Sequence, residues 1–366
     1  MPPLRVGLIG SGGISRAHMP AFLEHRDEVE LVAVCDIREE AAQAYAADAG
    51  VDPGSVYTNT ADLLARDDIE AVDIATIHEA HASNAIEAAK AGKHVLLEKP
   101  MACSVQEARD IVNACDDAGA TFMVAQMLRY LPHYQNVKRI IEAGELGDIW
   151  ACRADSWFGA ALAGSVTTQT RGDWWGFDGK KNGGGSVMMV STHQVDLIRY
   201  FVGNVVRITA RTWGDHPLMK NGAEDRAVAT FEFDNGAMGT LLSSYSARTP
   251  WMYQSLILGT KGTIYTTPDL EGNVVDQHHA PARIASEARE TQPGHNGVHA
   301  FSEVGPDMEG LVGDNPFTNE IVHFARCIRE GKEPISSGHD NLNTMEAVHG
   351  IYAASKAGHT IEVADL

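Results

Sequence analysis

The chain has few cysteines, no long apolar run and a deficit of positive charge. Its five cysteines are odd in number and scattered without a CxxC pair: Cys35, Cys103, Cys115, Cys152 and Cys327. This usage argues against a disulfide framework and a cysteine zinc site, and it favours a reducing compartment. No apolar run approaches the roughly 18 residues that span a bilayer. Since the N-terminal sequence MPPLRVGLIG enters a predicted strand at once, we expect no signal peptide and a cytoplasmic location.

The scarcity of basic residues also limits the partners. Lysine and arginine together number 29 against 49 acidic residues, which gives a net charge of −20. Such a surface repels nucleic acid and anionic membranes, so we expect neither as a partner. A local anion site built from backbone N–H groups remains compatible with this charge. The length of 366 residues and the 44% apolar content indicate two globular domains.

Short apolar runs and helical patterns alternate over the first third of the chain. The runs at 4–10, 29–36, 71–76, 94–98 and 121–126 predict strands, and the stretches at 13–25, 38–49, 79–91 and 104–118 predict helices. Buried strands that alternate with helices indicate a parallel sheet covered on both faces. We therefore predict an α/β domain over residues 1–126.

The pattern changes after residue 127. A helical stretch and a strand precede a Gly-rich loop at 159–182 and a helix at 186–202, and strand-like runs follow. One of these contains FDNGAMG, whose Asn-Gly pair predicts a hairpin turn. We predict an α+β domain over residues 127–366 with an open, mainly antiparallel sheet. Residues 268–312 are interpreted as an irregular surface excursion, followed by helices near 316–330 and 340–357. The last helix is a candidate for packing back on the first domain.

A glycine cluster follows the first predicted strand in VGLIGSGGISRAH. In dinucleotide-binding folds, such glycines form a tight turn and let a pyrophosphate approach the N–H groups at a helix start. The predicted contacts are Gly10, Gly12, Gly13 and Ile14. The third position of the pattern is Ser15 instead of glycine, but a small residue still fits there.

Asp36 ends the second predicted strand, where a carboxylate accepts from both ribose hydroxyls of NAD. The alternative is that Asp36 caps the next helix. A carboxylate at this position repels the 2′-phosphate of NADP, so NAD is the expected cofactor. The nearby Arg38 keeps NADP as an alternative.

The apolar run at 94–98 ends in Glu98, Lys99 and Pro100. Proline cannot donate to a sheet ladder and disfavours helix at the residue before it, so the strand stops there. This places the ammonium group of Lys99 at the rim of the sheet. The alternative is a surface lysine paired with Glu98.

The ordered set GSGGIS, LLEKPMA and GGGSVMMVSTHQVD resembles the Gfo/Idh/MocA oxidoreductase family. The resemblance covers nearly the full length and includes MLRYLPHYQNVKRIIEAGELGDI and LILGTKGTI. It implies a Rossmann domain followed by an open-faced sheet domain that makes oligomer contacts, here in a homodimer or homotetramer. It also implies hydride transfer between a nicotinamide cofactor and a hydroxyl of a sugar or cyclitol.

The resemblance implies roles for several polar residues. Glu98 and Lys99 belong to the family's EKP triplet, and Lys99 lies beside the nicotinamide and polarises the substrate oxygen. Thr76 and His78 match the stretch that borders the nicotinamide ribose. His81, close by, fits a helix start equally well.

His193 is the second candidate catalytic residue. Its imidazole titrates near neutral pH and suits a general base, although a lone helical histidine is also often a core residue. Asp196 shares that side of the helix and either orients the ring or pairs with Arg199. Many family members carry an aspartate one turn before this histidine, where this chain has Met189. Asp155 and Asp173 are candidate substitutes for that acid.

Three residues are predicted to contact substrate besides His193: Arg129, Asp155 and Trp174. Each has a structural alternative: Arg129 also suits a domain-junction salt bridge, Trp174 an anchor for its loop, and Asp155 a structural role on its strand. No metal site is expected, because the histidines at 278, 279, 295 and 299 lack a partnered ligand spacing.

The leading hypothesis is an NAD-dependent dehydrogenase acting on a secondary hydroxyl of a sugar, cyclitol or glycoside. A second hypothesis retains NAD but recycles it, so that transient oxidation allows glycoside elimination. A third is a ligand-sensing regulator, which Met189 favours and the pair Lys99 and His193 opposes.

Overall fold

The computed structural model describes residues 2–158, 174–247, 252–266, 282–289 and 298–366. The chain divides into two compact units. The first contains Met1–Tyr130 and Met308–Leu342, and the second contains Leu131–Asp307 and Asn343–Leu366.

The first unit alternates strands with helices, as predicted. Its strands are β1 (Leu4–Ile9), β2 (Val29–Cys35), β3 (Val56–Tyr57), β4 (Ala71–Ile74), β5 (His94–Glu98) and β6 (Phe122–Ala125), and its first helices are α1 (Ser15–Glu24), α2 (Glu39–Ala49), α3 (Thr60–Leu64), α4 (His81–Lys90) and α5 (Val105–Ala118). The strands form one parallel sheet in the order β3-β2-β1-β4-β5-β6. This is the doubly wound order of dinucleotide-binding domains, and it places the ligand crevice at the carboxyl ends of the strands.

Local sequence signals explain where these elements begin and end. The α5 helix starts at a variant of the capping box, because the Ser104 hydroxyl accepts from the Glu107 N–H at 3.2 Å and the Glu107 carboxylate accepts from the N–H of Cys103, one residue before the N-cap, at 3.0 Å. The helix ends at Gly119, whose φ of +62° suits a residue without a side chain. The segment between β5 and α5, which contains Lys99, is therefore held at both ends.

The second unit contains a nine-stranded sheet. Its strands are β7 (Ile149–Trp157), β8 (Val205–Trp213), β9 (Arg226–Phe233), β10 (Met238–Ser244), β11 (Met252–Gly259), β12 (Gly262–Thr266), β13 (Ala282–Ser286), β14 (Ser302–Val304) and β15 (Ile361–Glu362). The order is β14-β13-β12-β11-β7-β10-β9-β8-β15, and every pair is antiparallel except β7 with β10. The predicted hairpin at Asn235-Gly236 joins β9 and β10, and Gly236 has a φ of +84°. The prediction of a mainly antiparallel sheet is confirmed.

Helices cover one face of this sheet. They are α6 (Pro132–Glu142), α7 (Gly179–Asn182), a π-helical segment at Val187–Ser191 and α8 (Thr192–Val202), while α9 (Pro316–Glu330) belongs to the first unit and α10 (Gly338–Ala357) carries residues of both. The buried side chains of Ser156 and Ser243 face the helical side. On the opposite face Trp213, Val228 and Met238 are exposed.

The excursion predicted at 268–312 is more regular than expected. Residues 282–286 and 302–304 form β13 and β14 and extend the sheet beyond β12, so the expectation of irregular structure is wrong for these two segments. Both strands are too short for their alternation to stand out in sequence. Within the described ranges, no helix has the length and apolar character to cross a membrane.

Candidate active site

The turn after β1 has glycine where a side chain would not fit and where space is open. Gly10 has a φ of +95°, and a Cβ on it would lie 2.6 Å from the Ala75 carbonyl oxygen. A Cβ on Gly12 or Gly13 would meet no atom within 4 Å. At the start of α1, Ile14 provides no side-chain cap to the helix. The turn therefore offers backbone N–H groups and open space to an anion.

Ser15, which replaces the third glycine of the pattern, stabilises this turn. Its fully buried hydroxyl donates to the Gly12 carbonyl at 2.8 Å. The Tyr45 hydroxyl donates to the Ser15 carbonyl at 2.8 Å, which joins α2 to the start of α1. The departure from glycine thus adds a hydrogen bond without closing the open side of the turn.

Asp36 lies at the end of β2 beside the turn. Its Oδ2 accepts from the N–H and the hydroxyl of Ser11, both at 2.9 Å, and its Oδ1 accepts from the Arg38 N–H at 2.9 Å. The Arg38 Nε lies 3.3 Å from the same Oδ1, on a side chain that is 67% exposed. Burial alone would raise the pKa of Asp36, but these donors lower it below its usual value. The carboxylate is therefore ionised and oriented.

At the end of β5, Glu98 connects Lys99 to the interior. One carboxylate oxygen accepts from the Lys99 backbone N–H at 2.9 Å, and the other lies 3.2 Å from Nε2 of His18. The Lys99–Pro100 peptide bond is cis. Burial lowers the pKa of Lys99, and the charge of Glu98 opposes that shift. The half-buried Lys99 thus lies on a segment fixed by a buried carboxylate.

Beneath Glu98 is a buried cluster that the sequence analysis missed. His18 is fully buried, and its Nδ1 lies 2.8 Å from the carboxylate of Asp73. Burial would lower the pKa of His18, but Asp73 and Glu98 together raise it well above its usual value. Glu320, fully buried on α9, has a pKa that burial raises well above the ordinary range. The visible signal was an acid inside each of two buried strand runs, AVDIAT and HVLLE.

The loop after β4 lies against the end of β5. His81 is fully buried, with Nδ1 2.8 Å from the Pro100 carbonyl and Nε2 3.2 Å from the Thr76 carbonyl. Burial lowers the pKa of His81, so its ring is neutral. The ring of the buried His78 lies 5.4 Å from that of His81. The predicted ribose contacts Thr76 and His78 and the catalytic candidate Lys99 are thus on adjoining loops at one edge of the sheet.

In the second unit, His193 is the second residue of α8. Its ring is buried and lies edge-on to Tyr253, at a centroid distance of 6.0 Å. The buried Asp196 accepts from the Thr344 hydroxyl at 2.9 Å, and Thr344 in turn accepts from Arg199 at 2.6 Å. Asp196 and Arg199 therefore share one threonine of α10, which joins α8 to that helix.

The predicted substrate residues have identifiable structural contacts. The carboxylate of Asp155 pairs with Arg153 at 2.7 Å, and both lie on the sheet face opposite Ser156. Arg129 is 1% exposed, donates to the Ile335 carbonyl at 2.5 Å and pairs with Asp340 at 2.5 Å. Each of the two residues thus has an ionic partner within its own unit, and a substrate role for either residue stays a prediction.

Trp174 packs onto its own loop. Its ring lies edge-on to Phe177 at 4.9 Å, and a Cβ on Gly176 would lie 2.6 Å from it. This packing agrees with an anchoring role, and sugar stacking stays a prediction. Asp173 and the histidines at 278, 279 and 295 lie outside the described residues. His299 has Nδ1 3.1 Å from the Arg289 carbonyl, and among the described side chains no group of three or more His, Cys, Asp or Glu could hold a metal.

Both parts of the chain match known sequence profiles. Residues 4–126 match the Gfo/Idh/MocA oxidoreductase family with its NAD-binding Rossmann fold. Residues 134–265 match a Gfo/Idh/MocA C-terminal domain.

Individual relatives are dehydrogenases of sugars. D-apiose dehydrogenase of Paraburkholderia graminis is 28% identical, with 98% of this chain and 89% of the relative covered. Levoglucosan dehydrogenase of Pseudarthrobacter phenanthrenivorans is 31% identical, with 72% and 73% covered. A solved structure of levoglucosan dehydrogenase in complex with NADH and levoglucosan has a TM-score of 0.84 at 25% identity, with 99% of each chain covered.

Proposed function

This chain belongs to the Gfo/Idh/MocA oxidoreductase family, and from that membership we propose that it oxidises a secondary hydroxyl of a sugar, cyclitol or glycoside with a nicotinamide cofactor. The observation that carries the proposal is the geometry at the ends of β1 and β2. There an open glycine turn lies beside an ionised, oriented Asp36. A turn that only linked two elements would need neither feature.

The residues present fit a dinucleotide. The N–H groups of Gly12, Gly13 and Ile14 would hold the pyrophosphate, and the absence of a Cβ on Gly10 keeps the turn tight. Asp36 would accept from the adenosine ribose. Bound NAD supplies the nicotinamide carbon that accepts a hydride.

In this proposal, Lys99 and His193 have different roles toward the substrate hydroxyl. The ammonium group of Lys99 binds the oxygen and stabilises the negative charge that develops on it as the carbinol carbon loses hydride. Glu98 holds the Lys99 backbone at 2.9 Å and limits the movement of that group. The imidazole of His193 takes the hydroxyl proton. Met189 cannot exchange protons, so the two residues act without an aspartate at that position.

The remaining polar residues are proposed to contact the cofactor or the substrate. Thr76, His78 and Glu98 border the nicotinamide side of the cofactor, and Arg129, Asp155 and Trp174 are proposed to contact substrate. Of these three, the buried side chains of Arg129 and Asp155 already pair with the more exposed Asp340 and Arg153. Their contribution is therefore to shape the binding site as well as to contact ligand.

NAD is the preferred cofactor in this proposal. Both oxygens of Asp36 already accept hydrogen bonds, and the carboxylate would repel a 2′-phosphate. Arg38, whose guanidinium is largely exposed beside that carboxylate, offers a partial counter-charge. We expect NADP to function at a lower kcat/KM instead of failing completely.

We further propose a homodimer or homotetramer and a cytoplasmic location. The open sheet face exposes Trp213, Val228 and Met238 at 39%, 43% and 47%, which favours burial against a second copy. Light scattering of the protein as it elutes from a size-exclusion column measures the mass of the oligomer directly.

We propose that residues 1–126 form the cofactor domain and that residues 127–366 form the substrate and oligomer domain.

The experiment that tests the function is a screen of NADH formation at 340 nm over aldoses, inositols and glycosides, run in parallel with NADP. We expect at least one sugar or cyclitol to give steady NADH production with NAD. Aglycone release with catalytic NAD and no net NADH would replace dehydrogenation by the recycling reaction. Binding of a sugar without turnover under any condition would favour a sensor.

A further inference from the structure

Glu224 is a buried carboxylate that contacts the segment leading into the His193 helix. It is 3% exposed, and its Oε1 accepts from the Val187 N–H at 2.7 Å and from the Tyr352 hydroxyl at 3.2 Å. The same Tyr352 hydroxyl accepts from the Met188 N–H at 3.1 Å. The backbone carbonyl of Glu224 accepts from the Ser186 N–H at 2.9 Å. The carbonyl and the carboxylate of Glu224, together with the Tyr352 hydroxyl, therefore bind the N–H groups of three consecutive residues.

The glycines before this segment allow Glu224 and Tyr352 to approach its backbone closely. A Cβ on Gly184 would overlap the Tyr352 hydroxyl, and a Cβ on Gly185 would overlap the Glu224 carbonyl oxygen. The glycine run of NGGGS thus admits the two groups that hold the segment. Its role here is close packing within the second unit.

A chain of buried serine hydroxyls extends the contact to the far end of the segment. Ser186 donates to Glu224 Oε1 at 3.5 Å, Ser243 donates to Ser186 at 3.0 Å, and Ser191 donates to Ser243 at 2.6 Å. Ser156 is hydrogen-bonded to Ser191. The hydroxyls of Ser191, Ser243 and Ser186 thus all donate in the direction of the Glu224 carboxylate. Both ends of the segment at residues 187–191 are therefore tied to Glu224.

The segment that is held in this way is a π helix. It spans Val187–Ser191, and α8 begins at the next residue with His193 in its first turn. A π turn contains one residue more than the α-helical ladder accommodates, and such turns occur frequently at functional sites. Relaxation to an α helix would shift the register by one residue and rotate the following side chains by about 100°. The direction of His193 therefore depends on this turn.

We propose that Glu224 is a positioning residue for His193, because its carboxylate and the serine chain hold the π turn from which the His193 helix starts. The proposal rests on the proposed function only in giving His193 a catalytic role. Met189 occupies the middle of the turn and carries no charge. Glu224 supplies a carboxylate that contacts Val187, the first residue of the turn.

The pKa of Glu224 lies near neutral pH. Burial raises its pKa to about 7, although the Val187 N–H and the Tyr352 hydroxyl oppose the shift. The other groups nearby are Tyr352 on α10, Tyr245 after β10, whose pKa burial and Glu224 both raise, and Asp225, which pairs with Arg226 at 3.0 Å. An ionised acceptor forms the stronger hydrogen bonds, so the turn is held more firmly above neutral pH.

A histidine titration followed by NMR tests the proposal without any substrate. The full chain is labelled at histidine Cε1, and His193→Gln identifies the His193 signal. We expect the titration curve of that signal to include a step near pH 7 that comes from Glu224 and disappears in Glu224→Gln. The matched control is Glu232→Gln on the exposed sheet face, which should retain that step. A Glu224→Gln profile identical to that of the parent would overturn the proposal.

Two further measurements separate positioning from simple stability. With an active substrate, Glu224→Gln should retain kcat within about threefold, since the amide oxygen still accepts from Val187, and the decrease of kcat by up to about threefold that protonation of Glu224 causes below pH 7 should be absent in the variant. Ser243→Ala interrupts the serine chain and leaves the carboxylate, so it should reduce the step near pH 7 in the His193 signal. An unchanged step in Ser243→Ala contradicts the proposal even if Glu224→Gln does not fold. Failure of every substrate would overturn the proposed function and leave the NMR result interpretable.

Discussion

Ser11 donates two hydrogen bonds to a single oxygen of Asp36, one from its backbone N–H and one from its hydroxyl, each at 2.9 Å. A third donor, the N–H of Arg38, binds the other oxygen at 2.9 Å. Together they fix the carboxylate at the end of β2 and lower its pKa. A ribose would meet an acceptor that needs no reorientation, which favours tight binding.

Replacement of Asp36 by asparagine should weaken NADH binding by about tenfold or more, which corresponds to about 1.4 kcal/mol. The amide loses the charge and one acceptor oxygen for the ribose hydroxyls. NADPH binding should weaken less, because the repulsion of its 2′-phosphate is also removed. Isothermal titration calorimetry measures both constants. Ser11→Ala serves as the control, with an expected loss of about threefold, and equal NADH affinity in parent and Asp36→Asn would refute the ribose assignment.

His18→Gln should destabilise the first unit by about 3–5 kcal/mol, because it removes one partner of a buried charge pair and leaves Asp73 and Glu98 uncompensated. Urea unfolding followed by fluorescence or circular dichroism measures the change. His359→Gln, at an exposed position, should change stability by less than about 0.5 kcal/mol. Comparable unfolding midpoints for His18→Gln and the parent would show that the cluster carries no ionic interaction.

The same variant has a predicted pH dependence. The folded-state pKa of His18 is raised well above the unfolded value, so its stabilisation is complete below the unfolded pKa and is lost as pH rises through the folded one. The difference between parent and His18→Gln should therefore be largest near pH 6 and shrink under alkaline conditions. A difference that grows with pH would assign the wrong charge to the ring.

Gly185→Ala should destabilise the second unit by about 1–3 kcal/mol, because the added Cβ overlaps the Glu224 carbonyl oxygen. The matched control in the same unit is Gly305→Ala, where a Cβ meets no atom within 4 Å and no unusual backbone angle is required. Thermal unfolding of both variants gives the comparison. A smaller effect at Gly185 than at Gly305 would show that the glycine run is not required for packing.

Much of the first unit could be predicted from the sequence. The apolar runs gave five of its six strands, and the prediction for α9 matches Pro316–Glu330 in full. The missed elements were short, namely β3 at Val56–Tyr57 and α3 at Thr60–Leu64. A two-residue strand and a five-residue helix leave too few positions for a periodic pattern to emerge.

The buried polar contacts could not be predicted in this way. His18, Asp73, Glu98 and Glu320 lie on four different elements, and only the folded sheet joins them. Glu224 was not predicted as a site residue, because neither its burial nor its contact with Val187 has a local sequence signal. The π turn likewise reads as the first turn of an ordinary helix in the pattern at 186–202. The division at residue 127 and the substrate contacts remain predictions.

The most direct test of the central claim is the turnover of Lys99→Ala on the best substrate of the screen, measured beside NADH affinity. We predict a fall in kcat of about a thousandfold or more, because the ammonium that stabilises the developing oxyanion is gone, while the Kd for NADH changes by less than about threefold. Lys90→Ala, at the exposed end of α4, should match the parent in both quantities. Parent-like turnover of Lys99→Ala would contradict the account.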